Sequence, residues 1–351
     1  MARPCLNDTG REQQLDLIKM ISCIAVVGLH CLRSDPFWLC TLIYQLCAFA
    51  VPCFFMSSGY ILLNRQSIDY RYAFRKIFGI VRVVVLWHIL LYGVEFLVEV
   101  AREGFQLQKG METAILCGKN IIRCLLQKGP IWQFWYLGAL CLLYLCLPIL
   151  QKLLRLKEGT SRGWAFWSVT VVVCVAIQGA SMIAGRSIQE GVIQSFRLWT
   201  WLQYFVLGGL MPALVGRMKE KVTMGVHVVV LLVLTAASVA SRWAQDQLLF
   251  HIGKVEYFYD APLTIAWVMA LFSFISRCHM AGWLRTVVRW STPMIMGVYI
   301  VHVEVRALLI SVVSQDTGGM LLILAVAVLS ISAFVAFLLS KLPFGKYLIQ
   351  I

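Results

Sequence analysis

The sequence predicts an all-α polytopic membrane protein, a bundle of about ten transmembrane helices. Two observations lead to this prediction. Hydrophobic residues make up 60% of the 351-residue chain and charged residues only 14%, which is too few to cover the surface of a soluble protein of this length. The apolar residues also form ten segments whose lengths approach the ~20 residues needed to cross a ~30 Å hydrocarbon core. We expect one membrane-embedded domain over residues 1–351.

The ten apolar segments follow one another through mostly short connections. The segment at 261–276 is the shortest, and Pro148 is expected to break the segment at 131–153. The longest polar connection, 99–128, is predicted to include a short amphipathic helix. The predicted spans are residues 15–32, 37–63, 77–98, 131–153, 164–184, 198–215, 222–240, 261–276, 295–313 and 319–339.

The formal net charge of +14 is distributed unevenly along the chain. If the N-terminus is cytosolic, the connections on the cytosolic side carry about twice as many Lys and Arg residues as those on the other side. This bias predicts that both termini are cytosolic. Membrane topology therefore accounts for the positive charge without a nucleic-acid partner.

The twelve cysteines lie mostly in apolar segments. Their spacing suggests no disulfide framework, and no C-x-x-C pair suggests a metal site. We interpret them as small hydrophobic residues within helices, and we expect no metal cofactor.

The first span contains three ionisable residues, Asp16, Lys19 and His30. Ionisable groups are costly inside a bilayer, so their presence there favours a functional site. Helical periodicity places all three near one stripe, with about 20 Å of helix between Asp16 and His30. The predicted topology puts His30 towards the outer surface. In the alternative interpretation, Asp16 and Lys19 form an ion pair at the interface and His30 only caps the helix end.

Five stretches of the chain resemble, in order, motifs of the integral-membrane acyltransferase 3 family. The opening helix at 15–30, LDLIKMISCIAVVGLH, has the family's acidic residue, a basic residue three positions later and a histidine near its end. Residues 51–62, VPCFFMSSGYIL, resemble the family's second-helix signature of proline, paired aromatics and Ser-Gly-Tyr. The other stretches are IWQFWYLGALCLLYLCLP at 131–148, WLQYFVLGGLM at 201–211 and STPMIMGVYIVH at 291–302.

The resemblance implies a membrane acyltransferase. Members of the family transfer acyl groups, usually acetyl from acetyl-CoA, to hydroxyls of sugars on surface polysaccharides, lipid-linked glycans or antibiotics. The chain looks most like the short bacterial members that acetylate cell-surface polysaccharide. The resemblance thus implies an O-acetyltransferase of the bacterial plasma (inner) membrane, with acetyl-CoA as donor, a saccharide or glycolipid as acceptor, and membrane lipids around it.

Acyl transfer to a hydroxyl needs a general base, and histidine suits this role because its pKa lies near neutrality. His30 is the leading candidate for this base. The phosphates of CoA need cationic side chains, and the candidates on the predicted cytosolic side are Arg71, Arg75, Lys76 and Arg82. Many members of the family carry a proline after a similar basic run, which this chain lacks. The alternative is that the run serves only to set the topology.

His302 is the second candidate base, because Tyr299 and His302 match the family's tyrosine-x-x-histidine ending. The alternative is a histidine that only hydrogen-bonds between helices. Trp132, Trp135 and Tyr136 lie at the start of the fourth span. They are predicted to stack against a sugar ring or to cover the site, and the alternative is an aromatic belt at the membrane surface.

Other polar residues within the spans support weaker predictions. Glu95 and Glu304 are the intramembrane carboxylates available to orient His30. The small residues Ser57, Ser58 and Gly59 would let two helices approach closely. A nucleophilic serine is not favoured, because no G-x-S-x-G motif surrounds these serines.

Two other classes of protein remain open on sequence grounds. A transporter or flippase of a glycan or glycolipid would more often have two related halves with interrupted helices, and no such repeat is visible. A structural component of a glycan-assembly complex would not need His30 or a basic donor-binding region. Nucleotide hydrolysis is not favoured, because the sequence has no Walker or GxGxxG motif.

Overall fold

A computed structural model describes residues 13–32, 37–313 and 315–350. Within these ranges the chain forms helices and no strand, which confirms the predicted all-α membrane protein. Arg3, Arg11 and Arg33 contribute to the predicted charge bias but lie outside the described residues. The α-helices are α1 (Gln13–Cys31), α2 (Trp38–Leu46), α3 (Ala50–Leu63), α4 (Tyr70–Glu103), α5 (Leu107–Arg123), α6 (Trp135–Leu154), α7 (Ser161–Ala184), α8 (Leu198–Lys221), α9 (Met224–Gln245), α10 (Pro262–Arg277), α11 (Gly282–Ser291), α12 (Ile295–Leu309), α13 (Gly318–Lys341) and α14 (Gly345–Ile349).

All ten predicted spans correspond to apolar helices. In the described part of the chain, nine helical segments are long and apolar enough to cross a membrane, and α10 is a shorter apolar helix of 16 residues. Helix α4 is longer than predicted, with 34 residues. It begins at Tyr70 because the carboxylate of Asp69 accepts a 2.8 Å hydrogen bond from the backbone N–H of Tyr72 and so caps the helix.

Pro148 does not break α6, so that expectation was wrong. The helix continues through Pro148 from Trp135 to Leu154. Proline removes one backbone hydrogen bond and can bend a helix, but a membrane-spanning helix tolerates it where neighbouring groups satisfy the freed carbonyl. Leu147 and Leu150, on either side of Pro148, are buried in the bundle.

Helices α3 and α8 form the closest helix pair in the core. A Cβ atom at Gly59 of α3 would lie 1.8 Å from the carbonyl oxygen of Phe205 in α8. A Cβ atom at Gly208 of α8 would lie 2.0 Å from the carbonyl oxygen of Met56 in α3. These distances confirm that the small residues near Gly59 allow close helix packing.

Helix α6 defines the two ends of the bundle. Just before it, the side-chain amide of Gln133 donates a 3.0 Å hydrogen bond to the carbonyl oxygen of Ile300 in α12. Near its other end, Gln151 accepts from the backbone N–H of Ile68 at 2.8 Å. About 27 Å of helix separates Gln133 from Gln151. We call the end at Gln133 the histidine end and the end at Gln151 the basic end, for the side chains that gather there.

The predicted amphipathic helix in the long polar connection is present as α5. Its apolar residues Leu107 and Met111 are exposed. Lys109 of α5 lies 3.0 Å from a carboxylate oxygen of Glu99 and 2.5 Å from one of Glu103, both in α4. The two ion pairs tie α5 to the end of α4.

Candidate active site

The structure brings together two histidines that lie far apart in the sequence. The rings of His30 and His302 have centroids 5.0 Å apart, and the ring of Trp132 packs edge-on against His30 at 5.3 Å. His30 is in the last turn of α1, His302 is in the middle of α12, and Trp132 is in the 3-10 turn before α6. Three of the predicted site residues thus meet at the histidine end. We call His30 and His302 the histidine pair.

The imidazole of His302 is fully buried. Its Nδ1 lies 3.1 Å from the carbonyl oxygen of Val298, one turn earlier in α12. A carbonyl oxygen only accepts, so Nδ1 carries the proton and Nε2 is left as an acceptor. This Nε2 is buried and has no hydrogen-bond partner among the described residues. A buried acceptor without a partner is costly, which favours a site where a ligand completes the hydrogen bond.

Aromatic rings line the space beside the histidine pair. The ring of Tyr299 lies 6.1 Å from that of His302, and the ring of Tyr136 lies 5.8 Å from that of Tyr299. With Trp132 against His30, these rings form a wall of three aromatic side chains. Two of the three, Trp132 and Tyr136, are among the residues predicted to contact a sugar.

Two hydrogen bonds hold this wall in place. The hydroxyl of Tyr299 donates to the backbone carbonyl of Gln133. The side-chain amide of Gln133 donates in turn to the backbone carbonyl of Ile300, next to Tyr299 in α12. The reciprocal bonds fix the turn that carries Trp132 against α12.

Trp135 faces a different part of the core. Its ring packs on that of Trp201 at 5.2 Å, and Trp201 stacks on Phe55 at 4.7 Å. Trp135 is only 7% exposed. An aromatic belt at the membrane surface therefore does not describe Trp135, which joins α6 to α8 and α3 instead.

Arg306 and Tyr299 belong to this site, although sequence analysis gave neither a role in binding or chemistry. Arg306 lies one turn beyond His302 in α12 and within electrostatic range of Cys31, the neighbour of His30. Its Nε is buried without a hydrogen-bond partner in the described part of the chain. The signal was present in the sequence, because residues 299, 302 and 306 share one face of a helix.

Asp16 and Lys19 form an ion pair, as the alternative interpretation of the first span predicts. A carboxylate oxygen of Asp16 lies 3.8 Å from the Nζ atom of Lys19. His30, however, contacts the rings of Trp132 and His302, so it does more than cap the helix end. The ion pair at the start of α1 and the ring contacts of His30 at its end are therefore separate features of the first span.

The two intramembrane carboxylates occupy different environments. Glu95 is on the exposed surface of α4. Glu304 is half-buried in α12, and two residues from His302 it points about 200° away around the helix. His88, seven residues before Glu95 in α4, is buried, with Nδ1 2.8 Å from the carbonyl oxygen of Val84.

At the basic end, three cations gather around the start of α4. Lys76 is half-buried and lies within electrostatic range of Arg65 and Arg75, and we call these three residues the basic group. The guanidinium of Arg65 donates a 2.8 Å hydrogen bond to the hydroxyl of Tyr72 and lies 5.0 Å from its ring centroid. Sequence analysis missed Arg65 because it precedes α4. Arg71 is exposed in the first turn of α4.

Arg82 is set apart from the basic group. It lies about 9 Å beyond Lys76 along α4. Its Nη2 donates a 3.0 Å hydrogen bond to the carbonyl oxygen of Gln350, and its guanidinium lies 5.1 Å from the ring centroid of Tyr347. The structure therefore does not hold the four predicted donor-binding residues as one cluster, because the C-terminal residues engage Arg82.

A line of tyrosines runs between the two ends. At the histidine end, Tyr136 lies beside Ser58 of α3. Tyr144, about 12 Å further along α6, lies within electrostatic range of Tyr136 and also of Tyr72 and Arg65. We call Tyr136, Tyr144 and Tyr72 the tyrosine line. It connects the histidine pair with the basic group through the interior.

Comparison with known protein families gives a match over nearly the whole chain. The sequence profile of the acyltransferase 3 family, described as an acyltransferase domain, matches residues 12–341. The matched range includes the histidine pair, the basic group and every α-helix of the described chain except α14. No curated protein and no solved structure matches the chain.

Proposed function

Because the chain belongs to the acyltransferase 3 family, whose profile covers residues 12–341, we propose that it is a membrane O-acyltransferase that moves an acetyl group from acetyl-CoA to a hydroxyl of a cell-surface or lipid-linked saccharide. Family membership makes it a membrane acyltransferase, and the donor and acceptor are the proposed part. The observation that carries the proposal is the histidine pair, whose rings lie 5.0 Å apart beside an aromatic wall.

In the proposed reaction, His30 is the general base. It removes the proton of the acceptor hydroxyl as the oxygen attacks the thioester carbonyl. The new C–O bond forms, the C–S bond breaks, and the leaving CoA sulfur takes the proton back from the imidazolium of His30. The buried Nε2 of His302 is the acceptor that stabilises the protonated ring of His30 between these two transfers.

The basic group and Arg71 are the proposed binding site for the phosphates of CoA. Several Arg and Lys side chains in a small region create a strong positive potential, which attracts a polyanion such as CoA. About 27 Å of α6 separates this region from the histidine end. The tyrosine line supports a route along which the extended thioester arm of the donor reaches the histidine pair.

The acceptor saccharide is proposed to enter at the histidine end. Trp132 and Tyr136 offer aromatic faces to a sugar ring there, next to the ring of His30. Arg306, one turn from His302, adds a cation that can stabilise the oxyanion formed when the hydroxyl attacks. Trp135 supports this wall from behind, because its ring lies edge-on to that of Tyr136 at 6.4 Å.

The test uses the purified protein in lipid nanodiscs with labelled acetyl-CoA. Loss of the labelled acetyl group from CoA is followed with water as acceptor and with glycan extracted from the surface of cells that produce the protein. His30→Gln is expected to lower transfer by at least about 100-fold, because a general base contributes a factor of roughly 10² to 10⁴. The same variant is expected to bind acetyl-CoA as the parent protein does, since His30 is remote from the basic group.

Two further variants separate chemistry from donor binding. Arg75→Ala is expected to weaken acetyl-CoA binding by about tenfold, since one charge-assisted hydrogen bond contributes roughly 1.5–3 kcal/mol. His279→Gln, at an exposed position, is the matched control and is expected to change neither quantity. Normal transfer by His30→Gln would refute its role and make His302 the leading base. A parent protein that leaves acetyl-CoA intact with both acceptors would refute the proposed function.

A further inference from the structure

A groove between α2 and α9 lies on the membrane-facing surface, away from the histidine pair. One part, a cavity of about 390 Å³, has an almost entirely apolar lining that includes Leu46, Leu232 and Ala236. A second cavity of about 420 Å³ shares Leu42 with the first and adds the polar side chain of Gln45. We call the first cavity the trough and the second the mouth.

The groove has a defined direction in the membrane. Trp38, at the start of α2, and Gln247, just after α9, line the mouth. Leu46 in the trough lies about 12 Å from Trp38 along the chain of α2. The mouth therefore opens at the histidine end, near the membrane surface, and the trough runs from it into the hydrocarbon region.

A buried cation lies directly behind the mouth. The side chain of Arg242 is fully buried, and its hydrogen bonds go to neutral oxygens: Ser238 at 2.5 Å, Thr264 at 3.2 Å and Gln45 at 3.0 Å. No carboxylate of the described residues lies within 4.0 Å of it. A buried charge without a counter-ion is costly and favours a nearby anion.

The acid that follows α9 most closely, Asp246, is already hydrogen-bonded elsewhere. The carboxylate of Asp246 accepts 2.9 Å hydrogen bonds from the backbone N–H groups of Ile252 and Gly253. It closes the turn after α9, one turn beyond Arg242. It therefore does not neutralise Arg242, and among the described residues no carboxylate compensates the positive charge behind the mouth.

Gln45 connects Arg242 with the mouth. Its side-chain oxygen accepts from Nε of Arg242 at 3.0 Å, and its backbone carbonyl accepts from Nη2 at 2.8 Å. With its oxygen held by the guanidinium, the amide nitrogen of Gln45 is the donor that remains, and Gln45 lines the mouth. A donor polarised by a cation suits an anionic oxygen.

We propose that the groove between α2 and α9 binds an anionic phospholipid, with one acyl chain in the trough and its phosphate at the mouth beside Gln45. The apolar trough fits a hydrocarbon chain, and its direction matches a lipid whose headgroup lies at the histidine end. The charge of Arg242, which no carboxylate of the described residues neutralises, selects a lipid with net negative charge over a zwitterionic one. This site goes beyond the proposed acyl transfer and needs none of its residues.

The test uses photoactivatable lipids of one chain length in nanodiscs, one with a phosphatidylglycerol and one with a phosphatidylcholine headgroup. Sites of cross-linking are mapped by mass spectrometry. Phosphatidylglycerol is expected to label α2 and α9 of the parent protein at least about fivefold more than phosphatidylcholine does, as attraction between opposite charges in a low dielectric implies. Equal labelling by the two lipids would mean bulk lipid only and would overturn the proposal.

Variants locate the two parts of the site. Ala236→Trp fills the trough and is expected to lower labelling of α2 and α9 by both lipids, whereas Ala165→Trp, at an exposed position of α7, is the matched control and leaves it unchanged. Arg242→Gln keeps the trough and removes the charge, so it is expected to abolish the preference between headgroups. Unchanged labelling in Ala236→Trp, or an unchanged preference in folded Arg242→Gln, would refute the assigned site.

Discussion

At the scale of single residues, Asp260 shows how burial changes an acid outside the spans. It lies in the connection between α9 and α10 and is fully buried. Neither carboxylate oxygen makes a hydrogen bond of normal geometry among the described residues. Burial raises the pKa of Asp260 to about 7, although nearby Arg197 acts to lower it. Below about pH 7 the folded protein therefore keeps a proton on Asp260 that the unfolded chain would release near pH 4.

This raised pKa gives a prediction for stability against pH. Between about pH 4 and pH 7 the folded state binds one more proton than the unfolded state, so the contribution of Asp260 to stability falls as pH rises through this window. Asp260→Asn stays neutral throughout. Its melting temperature relative to the parent is expected to rise between pH 5 and pH 8, measured by thermal unfolding in detergent.

A surface acid provides the comparison for Asp260. Glu220 is exposed at the end of α8, so Glu220→Gln is expected to follow the parent at both pH values. Should Asp260→Asn differ from the parent by the same amount at pH 5 and pH 8, the carboxyl is ionised in the folded protein at both pH values and its electrostatic attraction to Arg197 outweighs burial.

At the scale of helices, the crossing of α3 and α8 depends on two glycines. Gly208→Ala would place a methyl group 2.0 Å from a backbone carbonyl oxygen of Met56, so the two helices would have to separate. Overpacking of this kind costs about 1–3 kcal/mol. We expect a clear loss of thermal stability and a lower yield of folded protein.

The control for this crossing lies in the same helix. A Cβ atom at Gly216 of α8 would meet nothing within 4 Å. Gly216→Ala should be neutral or stabilising, because alanine favours the helix over glycine by about 1 kcal/mol. Equal losses for Gly208→Ala and Gly216→Ala would mean that glycine matters for the flexibility of α8 rather than for its contact with α3.

At the scale of the whole molecule, the sequence predicted the helices better than their arrangement. Hydropathy reports whether a segment inserts, which depends on that segment alone, and so the ten spans were found. Which helices become neighbours depends on small packing differences between apolar surfaces. The contact of His30 with His302 and the capture of Arg82 by Gln350 therefore had no local signal. The close approach of α3 to another helix at Gly59 did have a local signal, because a small residue at a helix surface indicates close packing.

The topology depends on whether the short helix α10 crosses the membrane. At about 1.5 Å per residue, its 16 residues span about 24 Å, less than a typical hydrocarbon core. Its side chains nonetheless contact α9 at positions from His227 to Ser238. Thr264 near its start lies 3.4 Å from Ser238, and Arg277 at its end lies 2.9 Å from Nδ1 of His227. Helix α10 thus runs antiparallel to α9 from the histidine end to the basic end. A crossing by α10 in addition to the nine longer helical segments of the described chain would put both termini on one side.

Truncated fusions test this crossing with a reporter enzyme that is active only outside the cytosol. A fusion after His251, before α10, is expected to be active, and a fusion after His279, just beyond α10, to be inactive. A fusion after Ile351 is expected to be inactive as well, since the excess of Lys and Arg predicts that both termini are cytosolic. Equal activity after His251 and His279 would mean that α10 does not cross. Activity of the fusion after Ile351 would be enough to refute the cytosolic C-terminus. An inactive fusion after His251 together with an active fusion after His279 would place the histidine pair on the cytosolic side.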